Sequence, residues 1–380
     1  MIPPFIDEEV AKRGTPEQRA KARARLRLAA QLRARRQVIQ GAQTPGMRTR
    51  KTYTADQTET LPGRLVLGEG DGPSGDEAVD EAHGGAGDTW TFYKEKFDRD
   101  SLDDGGLVLV STVHYGRDFD NAFWDGEQMA YGDGDLFNRF TADPTVIGHE
   151  LTHGVTQFAA GLAYYGQSGA LNEHISDVFG ACMEQSLKGQ TAETADWLIG
   201  AELFAGTSLQ GRALRDMANP GTAYDDPLIG KDPQPAHMRD YVETWQDNGG
   251  VHINSGIPNR AFHLAATRYG GPAWGPVGQV WYTVLTGGDL SSEATFQEFA
   301  ELTVETAEAL GISSPVIQEA WADVGLTVGT PSPPDPPPPP SSPCLIEFQD
   351  FLREPAVQEK VERLLARLWA WSRASRRDRR

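Results

Sequence analysis

Cysteine is nearly absent from this chain: two residues in 380, Cys182 and Cys344. That excludes a disulfide framework, and Cys182, within an apolar helical stretch, reads as a buried free thiol. No run approaches 18 consecutive apolar residues, so no membrane-spanning helix is expected. The opening "MIPPFIDEEVAKRG" lacks an apolar core, and a standard secretory signal is not expected. Positive charge is scarce in the body. Residues 52–330 carry 13 Lys/Arg against 43 Asp/Glu. A body this acidic is a poor binder of nucleic acid.

The positive charge that does exist lies toward the ends. Residues 1–51 carry 13 Lys/Arg against 4 Asp/Glu, and residues 344–380 carry 9 against 6. A basic arm ahead of an acidic body is expected to dock on it. The alternative is a solvated basic helix. Apolar content of 39% and charged content of 23% are those of a soluble globular protein, long enough for two domains with sizeable cores.

Residues 15–40 are rich in Ala, Leu, Arg and Gln, good helix formers, with Thr15 as N-cap and Pro16 at the first helical position. Residues 52–140 read as β-rich and turn-rich. "GLVLVSTVHYG" is a strand, and "NAFWDGEQMAYGDGD" is a hairpin turning at Asp125-Gly126. From Pro144 the pattern becomes helical. One helix starts after the Asp143-Pro144 cap and stops at Gly161, and others are expected over 170–186, 256–269 and 294–309. "PSPPDPPPPPSSP", residues 331–343, is a stiff polyproline linker. Beyond it, Val357, Val361, Leu364, Leu365 and Leu368 mark an amphipathic helix over 354–371 in a basic tail, 344–380.

The stretch "TVIGHELTHGVTQ" carries the chemistry. On a helix, His149 and His153 are one turn apart on one face and can converge on one zinc ion at about 2.0–2.1 Å. Glu150 points about 100° around the axis, beside the metal, where a base must sit. A catalytic zinc needs a third protein ligand and an open position. The long motif that would place a third histidine at residue 159 is excluded, because that residue is Ala159. The segment "SGALNEHISDVFG" begins past the Gly161 break and allows an antiparallel return. Glu173, 20 residues after His153, can then be the third ligand. Asp177, one turn later on the same face, can take the second ring N–H of one histidine, and Asn172 that of the other. His174 competes with Glu173, but adjacent helical residues face different ways, and His174 reads better as an exposed helix residue.

These residues resemble the thermolysin family of zinc endopeptidases. "HELTH" followed by "GALNEHISD" carries the likeness, with "DNAFWDGEQMAYGDGD" and "DNGGVHINSG" as two further blocks in order, together spanning 52–329. "IPPFI" followed by a basic helix is similar to the short propeptide of the family's protealysin branch. The resemblance implies an α+β, two-lobed thermolysin-like fold. Its parts are a propeptide (1–51), a β-rich catalytic lobe ending in the zinc helix (52–160) and a helical lobe (161–330). The linker and tail have no counterpart in it. It implies one zinc on His149, His153 and Glu173, with Glu150 as base. It implies that His252, oriented by Asp247, and Tyr164 stabilise the oxyanion. Arg215 would bind a substrate carbonyl, and Asn121 and Ala122 would pair with the peptide backbone. Val146 and Leu214 would line the pocket for a bulky apolar residue just after the cut. The propeptide, with Ile2-Pro3-Pro4-Phe5 at the cleft, would dock on the catalytic domain. The family's calcium cluster is matched by Glu184 and Asp196, but Thr145, Leu198 and Ala201 stand at its acidic positions. A full double-calcium site is therefore not expected, and at most a single weaker one is.

The expected activity is zinc-dependent hydrolysis of peptide bonds by an enzyme made as a precursor. Two other readings stay open: a zinc protein whose metal only joins two helices, and a binding protein whose stalk and tail meet a partner. Secretion by a route that needs no standard signal is expected, with a cytoplasmic location as the alternative.

Overall fold

Two helices open the chain, α1 (Pro4–Arg13) and α2 (Pro16–Arg33). The computed structural model describes residues 2–33 and 43–329, which fall in one unit. The end of the helix expected over 15–40, Cys344, the linker and the 354–371 helix lie outside the described residues. The start of α2 is a reciprocal cap. Thr15 Oγ1 accepts from Gln18 N at 3.3 Å, and Gln18 Oε1 accepts from Thr15 N at 2.8 Å.

The sheet that follows has strands β1 (Arg50–Thr54), β2 (Arg64–Gly68), β3 (Leu109–Val113), β4 (Ala122–Trp124) and β5 (Met129–Tyr131). Their order is β2-β1-β3-β5-β4. β3 is parallel to β1 and β5, and the hairpin pairs Phe123 with Ala130 across the Asp125-Gly126 turn. This leaves β4 at one edge. β1 begins at Arg50, whose partner is Leu109, so a boundary after residue 51 would cut through a paired strand.

The region expected to be β-rich also holds a 21-residue helix, α3 (Glu77–Phe97). Its interior "EAHGGAGDTW" has three glycines, which lower helix propensity and hid it. Packing overrides that. Val79, Ala82, Ala86 and Tyr93 form a buried stripe. Gly85 lets α4 (Pro144–Phe158) come so close that a Cβ would lie 2.5 Å from Ile147 Cδ1. Asp76 caps α3 by accepting from Ala78 N and Val79 N.

α4 is capped in the same way by Asp143, with Pro144 in its first turn. A loop over 159–165 returns the chain into α5 (Gly166–Lys188), which packs along α4. Gly180 makes the contact close: a Cβ there would meet Thr145 O at 2.8 Å and His149 N at 3.1 Å. The helical region continues with α6 (Asp247–Asn254), α7 (Gly256–Tyr269), α8 (Pro276–Thr286), α9 (Phe296–Ala309) and α10 (Ser314–Asp323). Trp281 of α8 and Trp321 of α10 stack at 5.9 Å in its core.

The basic arm lies against the acidic body through three specific contacts. Arg25 sits between two buried carboxylates, with Nε 2.8 Å from Asp7 Oδ1 and Nη1 3.2 Å from Asp120 Oδ2. Lys21 bridges Asp118 and Asp135 at 2.9 and 3.0 Å. Ile2 is buried, and its N–H donates to Asn121 Oδ1 at 2.9 Å.

Candidate active site and metal centre

One turn apart on α4, the His149 and His153 rings lie 4.7 Å centre to centre, both buried. α5 brings Glu173 to them, with Oε2 3.4 Å from His149 Nε2 and Oε1 3.4 Å from His153 Nε2. One ligand atom from each residue falls within 4.8 Å of the others, the single such group among the described residues. His149 Nε2 and Glu173 Oε2 are buried with no hydrogen-bond partner. Two bare, dry polar atoms facing one another are costly unless something lies between them. A divalent cation fits, and two imidazoles with one carboxylate are a zinc donor set.

The outer hydrogen bonds fix the imidazole tautomers. His149 Nδ1 donates to Asp177 Oδ1 at 2.7 Å, and His153 Nδ1 donates to Asn172 Oδ1 at 2.7 Å. In each ring Nε2 is thereby the nitrogen without a proton, the one that can bind a cation. Ser176 Oγ lies 3.0 Å from His153 Nδ1, a neighbour the sequence reading missed. Asp177 is held by Arg215 through Nε and Nη2, both at 2.7 Å. Burial alone would raise the Asp177 carboxyl, but the Arg215 guanidinium and the His149 bond hold it well below the carboxylate range. Burial likewise opposes charge on Glu173, and His252, His153 and His149 around it more than offset that.

On the other side of the ligands, Tyr164 donates to Glu173 Oε1 and lies 3.2 Å from His252 Nε2. Asp247 takes His252 Nδ1–H at 2.6 Å and the His252 backbone N–H at 2.8 Å. The "DNGG" run makes this possible. Residues 247–250 all have positive φ, 51 to 84°, a path that Gly and Asn follow at low cost. Glu150 is buried beside the ligands, and its Oε2 accepts from Trp124 N of edge strand β4 at 3.1 Å. Asn121 stands immediately before that strand and Ala122 begins it, and Asn121 is engaged by Ile2. Val146 and Leu214 are both fully buried. A cavity of about 510 Å³ opens alongside, lined by Trp124, Gln157, Tyr164, Tyr165 and Asn248 among others.

His174 departs from expectation. It is wholly buried, not exposed, and bonds Asn259 and Trp281. It faces away from Glu173 as the helix geometry requires, into a core that α7 and α8 supply and that local sequence does not reveal. Burial pushes its pKa down to about 4. Asn259 was also missed, since nothing in its spacing marks it. At the positions matched to the calcium cluster, Lys188 Nζ lies 2.8 Å from Glu184 Oε1, and Thr145 Oγ1 donates to Asp143 Oδ1 at 2.5 Å. Burial drives Glu184 up to about 7, with Lys188 opposing. A lysine and a hydroxyl thus stand among these carboxylates.

Three ligands on two packed helices, a carboxylate beside them and an edge strand alongside define a metallopeptidase. The comparisons agree. Residues 33–157 match the thermolysin metallopeptidase catalytic domain, and residues 160–326 match the thermolysin metallopeptidase alpha-helical domain. The chain belongs to the thermolysin metallopeptidase family, and it is a zinc metalloendopeptidase with the family's α+β fold. An extracellular metalloprotease of Pectobacterium carotovorum is 48% identical over 335 residues, covering 86% of this chain and 96% of that protein. The solved precursor of protealysin, a metalloproteinase from Serratia proteamaculans, superposes with a TM-score of 0.80. It is 47% identical and covers 86% of this chain and 99% of its own. A thermolysin of Alicyclobacillus acidocaldarius is 40% identical over 246 residues, 62% of this chain and 42% of that protein.

Proposed function

We propose that the chain is the precursor of an exported zinc endopeptidase. His149, His153 and Glu173 hold the metal, and residues 2–33 belong to a prosegment that covers the cleft. The observation that carries this reading is the buried triad, whose His149 Nε2 and Glu173 Oε2 have no hydrogen-bond partner. Bound there, zinc supplies Lewis acidity to water and to the scissile carbonyl. Glu150 takes the proton of the attacking water and passes it to the leaving nitrogen. Asp247 holds one N–H of His252, and the other N–H, with the Tyr164 hydroxyl, donates to the carbonyl oxygen as charge develops. The substrate lies as an added strand on β4, aligned by Asn121 and Ala122. Arg215 takes a substrate carbonyl. Val146 and Leu214 favour a bulky apolar residue just after the cut. Ile2, bonded to Asn121, occupies part of that path in the precursor. The break between prosegment and enzyme falls before β1, at or before residue 49. Relatives named as extracellular support export.

The test uses the full precursor. Glu150→Gln is expected to keep its zinc and lose at least about 10²–10³-fold in cleavage of a peptide with an apolar residue after the cut. A zinc chelator should stop the wild type, and re-addition of zinc should restore it. Undiminished cleavage by Glu150→Gln, or a pure protein that holds no metal and cuts nothing, would overturn the reading.

A further inference from the structure

His174 lies in α5 directly after Glu173, yet its ring points into the helical core. It is wholly buried, against Phe299 and Trp281 at centroid distances of 5.9 and 6.4 Å. Both ring nitrogens are engaged, and their roles can be assigned. Trp281 Nε1 donates to His174 Nε2 at 2.8 Å. An indole N–H can only donate, so Nε2 is bare and Nδ1 carries the proton. Nδ1–H donates to Asn259 Oδ1 at 2.8 Å. That turns the Asn259 amide so that Nδ2 faces Asp177 and donates to Oδ2 at 2.8 Å. Asp177 Oδ1 accepts from His149 Nδ1.

Every link in this chain has a fixed direction. It starts at an indole that can only donate and ends at a carboxylate that can only accept. Asp177 receives four bonds: one from His149, two from Arg215 and one from Asn259. Four is about the full capacity of a carboxylate. Its orientation is therefore set by all of its donors together.

We propose that His174 is a positioning residue for the metal centre: it locks the Asn259 amide, which holds Asp177, which orients the His149 imidazole. This rests on the reading above that His149 is a zinc ligand. Without the imidazole, Asn259 can turn over and set its oxygen against the carboxylate, replacing a bond by a repulsion. A plain packing role makes a different demand, because any apolar side chain of similar volume would then serve.

Three variants of the full-length precursor separate these cases. His174→Leu keeps apolar bulk and loses both polar roles. His174→Gln offers one acceptor and one donor on a planar amide. Trp281→Phe removes the donor that sets the tautomer. The readouts are the rate of zinc release to a chromogenic chelator, the visible spectrum of the cobalt-substituted protein, and kcat and KM on a peptide. Outer-shell partners of ligating histidines typically change metal affinity by about 10–100-fold. At one remove further, His174→Leu should release zinc about 3–10-fold faster, shift the cobalt band and lower kcat with KM unchanged. His174→Gln should stay within about twofold of wild type, and Trp281→Phe should follow His174→Leu to a smaller extent. Wild-type zinc release and cobalt spectrum in His174→Leu would overturn the proposal, as would His174→Gln behaving like His174→Leu. Should His174→Leu not fold, Trp281→Phe decides: faster release supports the role and unchanged release overturns it. A wild type that holds zinc beside an unaffected His174→Leu refutes only the positioning role. A wild type without zinc refutes the parent reading as well.

Discussion

Removing one guanidinium from the N-terminal arm should loosen it far more than its share of the charge suggests. Arg25 is 6% exposed and stands between Asp7 at 3% and Asp120 at 1%. Replacing it with Ala strands two carboxylates in a dry interface. Breaking a buried ion pair from one side typically costs about 3–5 kcal/mol, a factor of about 10²–10³·⁵ in an equilibrium constant. Arg13 is the control. Its partners are Glu9, at the surface, and the Pro227 carbonyl. An exposed pair contributes about 0–1 kcal/mol, at most a factor of about 5. The assay is amide exchange in α1, read in a Glu150→Gln background so that self-cleavage does not intrude. Arg25→Ala should raise opening of Ile6–Val10 by about two orders of magnitude or more, and Arg13→Ala by a few-fold. Added salt should narrow the Arg13 effect and barely touch the Arg25 effect, because a buried pair is poorly screened. If the two variants behave alike, the arm is held by net charge and the argument from the buried Arg25, Asp7 and Asp120 is wrong.

The same contact gives a pH dependence. Burial lifts Asp7 from 3.8 to about 6, with Arg25 pulling it back. The docked state therefore binds more protons than the released one between those values, so its stability falls as pH rises. This contribution is complete below about 4 and is lost as pH rises through about 6. Exchange in α1, corrected for intrinsic rates, should accelerate from pH 5 to 7, and Asp7→Asn should reduce that slope, with Asp120, also raised by burial, keeping the rest; an undiminished slope places its origin elsewhere. Gly180→Ala puts a Cβ 2.8 Å from Thr145 O and 3.1 Å from His149 N. Overpacking of about 1–3 kcal/mol should lower Tm by several degrees and slow cleavage, and an unchanged Tm would show that the helices can part freely. Asp143→Ala strips the cap from α4 and a bond to Glu202 N, and should cost about 1–2 kcal/mol in a denaturant titration. No shift in midpoint would mean that the α4 start is held by packing alone.

The ligand triad was legible because helix periodicity and charge type specify it: His149 and His153 one turn apart, then Glu173 and Asp177 sharing a face after a glycine break. The hairpin and the Asp143 cap were legible for the same reason, since local residues determine local geometry. What failed was whatever depends on remote partners. α3 was missed because its glycines argue against a helix until Ile147 is seen to need the room. His174 was misplaced because α7 and α8, roughly 80–110 residues away, decide whether that face of α5 meets water. Asn259 and Ser176 carry no spacing signal at all. Their roles exist only once Asp177 and His153 are in place.

On the proposed function, residues 120–124 serve both the arm and the proposed base. Asp120 and Asn121 turn to the prosegment, through Arg25 and the Ile2 backbone. Three residues after Asn121, Trp124 gives its N–H to Glu150. Inhibitory and catalytic contacts thus use different positions of one short edge segment. Asp120 also accepts from the backbone N–H groups of Asp135, Leu136 and Phe137, so it stays anchored when Arg25 leaves. On the proposed function, losing the arm releases Asn121 from Ile2 and Asp120 from Arg25, which opens this edge of the sheet to substrate.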